Sequence, residues 1–148
     1  MLPSPFMTQA ISLARQAAQQ QEVPVGAVLV YEDTILAQAH NEVMERNDVT
    51  AHGEILVIQR ASLALGQRIL EKCDLYVTLE PCPMCAHAIS LAHIRRLYFG
   101  AYDPKGGGID HGPRIYHNAS CHHRPEVYGG ISETVCSRLL QDFFAGKR

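Results

Sequence analysis

Apolar positions change period repeatedly along this chain, and each change predicts an element. Ser4-Pro5 reads as an N-cap followed by proline at the first helical position, and Met7, Ile11, Ala14 and Ala18 then recur at helical spacing, predicting a helix to about Gln20. Val23-Pro24-Val25-Gly26 breaks it. Val25 to Tyr31 is an apolar strand, and Glu32-Asp33 turn the chain into a second strand from Thr34 to about His40, a hairpin lacking a turn glycine. Residues 41–50 read as a polar loop. The next helix begins near Ala51, carries His52, Glu54, Ile55, Ile58, Ser62 and Leu65, and stops at Gly66. Leu75 to Leu79 is a buried strand, Cys82 to Ala92 a helix and Ile94 to Gly100 a strand; that βαβ unit predicts parallel strands with a right-handed crossover.

From Asp103 to about Arg124 the chain is rich in glycine, histidine and proline, with a locally flexible Gly106-Gly107-Gly108. It reads either as a connecting loop with some helix or as a loop lining a substrate site, because loops of this length are uncommon unless used. Glu126 to Gly129 predicts a short last strand. Ser132 then caps a final helix with Val135, Leu139, Leu140 and Phe143 as its buried stripe. Phe144 adjoins Phe143, so one helix face cannot bury both equally, and one ring is left free for a partner.

At 148 residues the chain reads as a single domain, 1–148, able to bury a core without staples. Five cysteines, an odd number, do not look like a disulfide framework and point to a reducing, cytoplasmic setting. No stretch is apolar and long enough to span a bilayer, so no membrane partner is expected. The net charge of −2 excludes a global electrostatic footprint for nucleic acid, leaving Arg95-Arg96, His122-His123-Arg124 and Lys147-Arg148 as local basic candidates.

The chemistry concentrates in His52-Gly53-Glu54 and Pro81-Cys82-Pro83-Met84-Cys85. Two thiols three positions apart at a helix start can converge on one ion, and the free N–H groups there favour thiolate. His52 completes an N/S set that suits zinc, and three protein ligands leave the fourth tetrahedral position for water. Glu54, two positions past the histidine, is placed to handle the protons of that water. A redox Cys-x-x-Cys pair has no use for the histidine–glutamate pair. A structural zinc knuckle would have to draw on Cys121-His122-His123, which are adjacent and cannot easily turn to one ion. The residues favour a catalytic zinc site, and H-x-E followed by P-C-x-x-C is the zinc-deaminase signature.

The chain resembles the cytidine-deaminase-like zinc enzymes, and among them the bacterial tRNA adenosine deaminases. The residues that carry the resemblance are Glu22-Val23-Pro24-Val25-Gly26-Ala27-Val28, Asn41, Thr50 to Ile55, Leu79 to Ala86, Phe99-Gly100-Ala101, Asp103, Lys105, His123-Arg124 and Leu139 to Phe144. The resemblance implies an α/β fold, a three-layer αβα sandwich around a mixed five-stranded sheet. It implies one zinc ion per subunit on His52, Cys82 and Cys85, with Glu54 as proton shuttle. It also implies hydrolysis of the wobble adenosine of tRNA to inosine, with the anticodon stem-loop bound across a homodimer. By the same resemblance Asn41 hydrogen-bonds the target base and Val25 packs on it. The backbone at Gly53 and Pro81 meets the base edge and leaving amine, Asp103 and Lys105 lie near the sugar-phosphate, and Phe144 meets a neighbouring base. Plainer roles stand beside these: Asn41 as a cap, Val25 as core, Asp103-Pro104 as a turn. The chain departs from the family pattern at Val49 (usually proline), Gly53 (usually alanine, which would add a methyl to the pocket) and His122 (usually asparagine). The alternatives are a deaminase of guanine, cytosine or a nucleoside, and a non-catalytic zinc-stabilised binding module.

Overall fold

The computed structural model describes residues 4–147. Its elements are α1 (Pro5–Gln19), β1 (Gly26–Tyr31), β2 (Thr34–His40), α2 (Val43–Arg46), α3 (Gly53–Leu65), β3 (Cys73–Leu79), α4 (Pro83–Leu91), β4 (Arg96–Ala101), a 3-10 turn (Ile115–His117), β5 (Glu126–Tyr128) and α5 (Glu133–Ala145). The sheet order is β2-β1-β3-β4-β5. β1 runs antiparallel to both neighbours, whereas β3, β4 and β5 are mutually parallel, so the sheet is mixed as expected.

Side-chain alternation along β1 shows why there are three layers. Ala27 and Leu29 join the cluster containing Leu56, Val57 and Ala61 of α3 and Ala86 and Ile89 of α4. Val28 and Val30 point the other way, to Met7, Ala10 and Leu13 of α1 and Cys136 of α5. β1 is buried on both faces and accordingly reads as a continuous apolar run.

The register fixes where a site can form. Gly26 pairs with His40 and Ala27 with Val77, so the carboxyl ends of β2 and β3 lie at one edge on either side of the start of β1. Helix α3, reached from β2 through α2, and helix α4, which follows β3, both begin at that edge, where α/β sheets place ligands.

Local chemistry explains the ends. Ser4 Oγ accepts the N–H of Met7 at 3.3 Å, as its cap role predicts. The hairpin manages without glycine because Glu32 and Asp33 both adopt left-handed angles, φ 50° and 61°, which a two-residue hairpin turn needs. An extra residue, Leu36, bulges where the register slips between Leu29↔Ala37 and Val30↔Ile35.

Several expectations need correcting. Ala17, not Ala18, completes the buried face of α1. The polar stretch 41–50 holds α2, which a distant carboxylate caps: Glu22 accepts the N–H groups of Met44 (3.0 Å) and Glu45 (2.8 Å). The buried face of α3 is Gly53, Glu54, Leu56, Val57 and Ala61, with Ile55, Ile58, Ser62 and Leu65 only half-buried. β3 starts earlier, at Cys73, and β4 starts later, at Arg96. In α5 the buried residue is Cys136; Val135 is 42% exposed, and Ser132 is left-handed and makes no side-chain cap. The helix turns that face to the sheet because Gly100 lets the Cys136 side chain reach the backbone of β4. Among the described residues no helix is long and apolar enough to cross a membrane, and Arg148 of the terminal basic pair lies outside them.

Gly26 is where α1 meets the sheet. A Cβ there would run into the Ala10 carbonyl oxygen and come within 2.7 Å of the Ala14 nitrogen, both backbone atoms that cannot swing aside. Gly26→Ala is expected to cost about 3 kcal/mol or more in a urea unfolding curve, the upper range of overpacking.

Candidate metal and substrate site

His52 is the N-cap of α3 and Cys82 the N-cap of α4, both extended, with Cys85 in the first turn of α4. His52 Nδ1 lies 3.7 Å from Cys82 Sγ and 3.4 Å from Cys85 Sγ. The three ligand atoms fall within 4.8 Å of one another. A tetrahedral zinc ion with Zn–N of about 2.1 Å and Zn–S of about 2.3 Å sets N···S edges of about 3.6 Å, so the donor set and its spacing fit. Among the described residues no other group of three such side chains gathers this way, and Cys121-His122-His123 does not.

The electrostatics agree. A hydrogen bond from Cys85, followed by one from His52, pulls the Cys82 thiol down to about 4. Cys85, fully buried and donating to that thiolate, is pushed up. The Cys82 hydrogen bond raises His52. Burial lifts the Glu54 carboxyl to about 7. Its Oε1 is a buried oxygen that finds no hydrogen-bond partner among the described residues. Such an orphan is costly unless a ligand or ordered solvent completes it.

A cleft of about 640 Å³ opens over these groups, lined by His52, Glu54 and Cys82 together with Val25, Asn41, Asp103 and Phe144. The structure thus brings those seven sequence-predicted residues together. Asn41 accepts the Gly53 N–H on Oδ1 at 2.7 Å, and among the described residues its Nδ2 has no partner. That bond ties the end of β2 to the start of α3 and occupies the Gly53 N–H expected to meet a base edge. Gly53 is buried and does not line the cleft. Pro81 is buried too, and its carbonyl accepts the Gly108 N–H at 2.8 Å. Lys105 is exposed outside the lining residues. Phe144 is 51% exposed at the rim, beside half-buried Phe143, over which Lys147 Nζ sits 4.9 Å from the ring centroid.

The basic pair Arg95-Arg96 is already neutralised. Arg95 forks onto Asp74 at 3.0 and 2.9 Å, and Arg96 meets Glu126 at 3.0 Å. His123 Nε2 bonds the Ile94 carbonyl at 2.8 Å.

Two acidic residues escaped the sequence reading. Glu22 lines the cleft wall while capping α2. Glu80, 2% exposed, gathers donors from Asp103, Ile109, Asp110 and His111. The available signal was a lone carboxylate closing an apolar strand, Leu75 to Leu79, just before Pro81. Of the glycines after Lys105, Gly106 is exposed, whereas Gly107 and Gly108 are buried and tightly packed. A Cβ on Gly107 would strike Glu80, and one on Gly108 would come within 2.6 Å of the Pro83 nitrogen at the head of α4.

A family model described as MafB19-like deaminase matches residues 4–147. A tRNA-specific adenosine deaminase of Agrobacterium fabrum is 53% identical over 143 residues, 97% of this chain and 94% of that protein. The Bacillus subtilis protein of the same description is 44% identical over 139 residues, 94% and 86% of the two chains. The chain belongs to the tRNA-specific adenosine deaminase family. A solved chain from a study of A-to-I editing by tRNA:A34 deaminases at the wobble position superposes with a TM-score of 0.90 at 53% identity, covering 91% of this chain and 98% of that one. The cytidine-deaminase-like architecture is thus shared.

Within this family pattern, the Gly53 departure can be read in space. A Cβ there would meet His40 Cα at 3.5 Å, Val25 O at 3.5 Å and Ala27 Cβ at 3.6 Å, ordinary contacts under β1 and β2. The missing methyl is therefore absent from the interior and not, as expected, from the pocket. Gly53→Ala is expected to stabilise the protein by about 0.5 kcal/mol, by restricting the unfolded chain and favouring the helix start; a raised Tm at unchanged activity checks this.

Proposed function

We propose that this chain hydrolyses the wobble adenosine of tRNA to inosine, releasing ammonia. The carrying observation is the buried Glu54 oxygen, unpartnered among the described residues, beside the His52–Cys82–Cys85 set, in a chain whose relatives include tRNA-specific adenosine deaminases. The residues that would hold the metal are His52, Cys82 and Cys85, one zinc ion per subunit. When bound, zinc supplies the Lewis acidity that makes water nucleophilic near neutral pH.

The other steps fall to the chain's own side chains. Glu54 takes one proton from the attacking water and delivers it to the ring nitrogen next to C6; it then takes the second from the new C6 hydroxyl and passes it to the amine as the C–N bond breaks and the C6 carbonyl forms. Burial holds the Glu54 carboxyl above the ordinary carboxylate range, which suits a group that must both accept and donate a proton. Asn41, held by the Gly53 N–H, turns its free amide N–H groups to the base, and Val25 packs on it. The carbonyl of Pro81 keeps a lone pair for the leaving amine, and Gly53 acts through Asn41. Asp103 and Lys105 lie along the sugar-phosphate, and Phe144, exposed at the rim, stacks on a neighbouring anticodon base.

A base inside a stem cannot enter a cleft this deep, so the substrate is an unstacked nucleotide of the anticodon loop, flipped at a cost of a few kcal/mol. Residues 1–148 are read as one deaminase domain, supported by a family match over 4–147. Family resemblance supports a homodimer as the working assembly. Five unpaired thiols suit the reducing cytoplasm.

An anticodon stem-loop carrying the wobble adenosine is expected to yield inosine and ammonia, while free guanine, cytosine and nucleosides are not turned over. Product from the small molecules alone would overturn the tRNA reading. Glu54→Ala should lose about 100- to 10,000-fold in rate with metal content by mass spectrometry unchanged; an active, fully metallated variant would remove Glu54 from its role.

A further inference from the structure

We infer that Glu80 is a positioning residue for substrate binding, holding the Asp103 rim of the cleft in register with the thiolate-bearing start of α4. The inference rests on the function proposed above and adds a residue that helps to line the cleft while its side chain is closed off from solvent.

Glu80 follows β3 and precedes Cys82 by two positions, and its side chain is 0% exposed. A carboxylate so placed is tolerated only where donors fill its lone pairs. All five donors come from one loop, and the two oxygens divide them. Oε1 takes the Asp103 N–H at 3.0 Å and the His111 ring Nδ1 at 2.8 Å. Oε2 takes the N–H groups of Ile109 (3.2 Å), Asp110 (3.0 Å) and His111 (3.2 Å). Asp103 and Gly106 line the cleft, whereas residues 109–111 do not. One oxygen therefore serves the substrate side of the loop and the other its base.

The rim shape depends on the first of these. Asp103 Oδ1 accepts the N–H groups of Lys105 (3.2 Å) and Gly106 (3.0 Å), so the turn above the cleft is built outward from Asp103. Residues 103–114 contain no strand or helix that would fix this turn independently. The loop is also pressed against α4, because Gly108 donates to the Pro81 carbonyl at 2.8 Å and leaves no space for a Cβ beside Pro83. Glu80 is thus the junction between the rim that meets the nucleotide and the segment that carries Cys82.

Glu80→Gln separates the two arms. An amide offers one oxygen, and facing it to the three donors on the Oε2 side turns its NH2 towards the Asp103 N–H, donor against donor. The imidazole of His111 can adapt by changing tautomer; the Asp103 amide cannot.

The expected result is a folded protein with wild-type metal content. Its KM for the wobble-adenosine stem-loop rises about tenfold, the lower end of what a hydrogen bond to a charged group is worth, and kcat stays within about twofold. Amide exchange at Asp103 quickens about tenfold while Ile109 to His111 stay protected. An unchanged KM, an unchanged Asp103 exchange rate, or loss of kcat in step with loss of metal would each overturn the assignment. Should Glu80→Gln not fold, His111→Ala removes the ring donor from the same oxygen at a half-exposed site. A KM rise of about threefold at constant kcat is then expected on the same principle, and an unchanged KM would overturn the inference. A wild-type protein inactive on the stem-loop would instead sink the functional reading, and the exchange comparison would still decide whether Glu80 sets the rim.

Discussion

Two helix starts at one sheet edge are the constraint on which the site depends. His52 and Cys82 are each the last extended residue before a helix, with ψ 149° and 170°. Their side chains project from the ends of α3 and α4 and are not wrapped onto helix faces. They meet because β1 alone opposes its neighbours, which sends β2 and β3 in the same direction and deposits both following helices on the same side. A one-residue slip of either pairing would turn the strand faces over and carry the histidine away from the thiols. The convergence of the three donor atoms is therefore a property of strand register before it is a property of any loop.

Much of this was legible in the sequence because it is written in short-range patterns. The cap at Ser4, the βαβ period from Leu75 to Gly100 and the H-x-E and P-C-x-x-C spacings each depend on residues a few positions apart. What escaped depends on distant residues. α2 looks polar and irregular because its cap, Glu22, lies more than twenty positions upstream. Gly107 looks mobile until the carboxylate it packs against is known, and Glu80 lies about thirty residues before the donors it collects from residues 109–111. The expected stripe of α5 failed at Val135 because periodicity cannot tell which face meets the sheet; the fit of Cys136 against Gly100 decides that.

The most deeply placed polar groups of the site divide into two kinds. Glu22 and Glu80 are buried and satisfied, which makes them rigid. Glu54 is buried with one oxygen unmatched among the described residues, which fits the proton-transfer role proposed for it.

The satisfied pair, one beneath each wall of the cleft, has an evolutionary corollary. Backbone N–H groups, which every residue but proline possesses, supply nearly all the donors they hold. The outward side chains of Met44, Glu45 and Asp110 are thus decoupled from the geometry beneath them. Such a surface can drift in sequence, exploring new nucleotide contexts, while the mouth of the cleft keeps its shape. Selection for altered specificity would find its raw material there, and the two carboxylates below would be the last residues it could change.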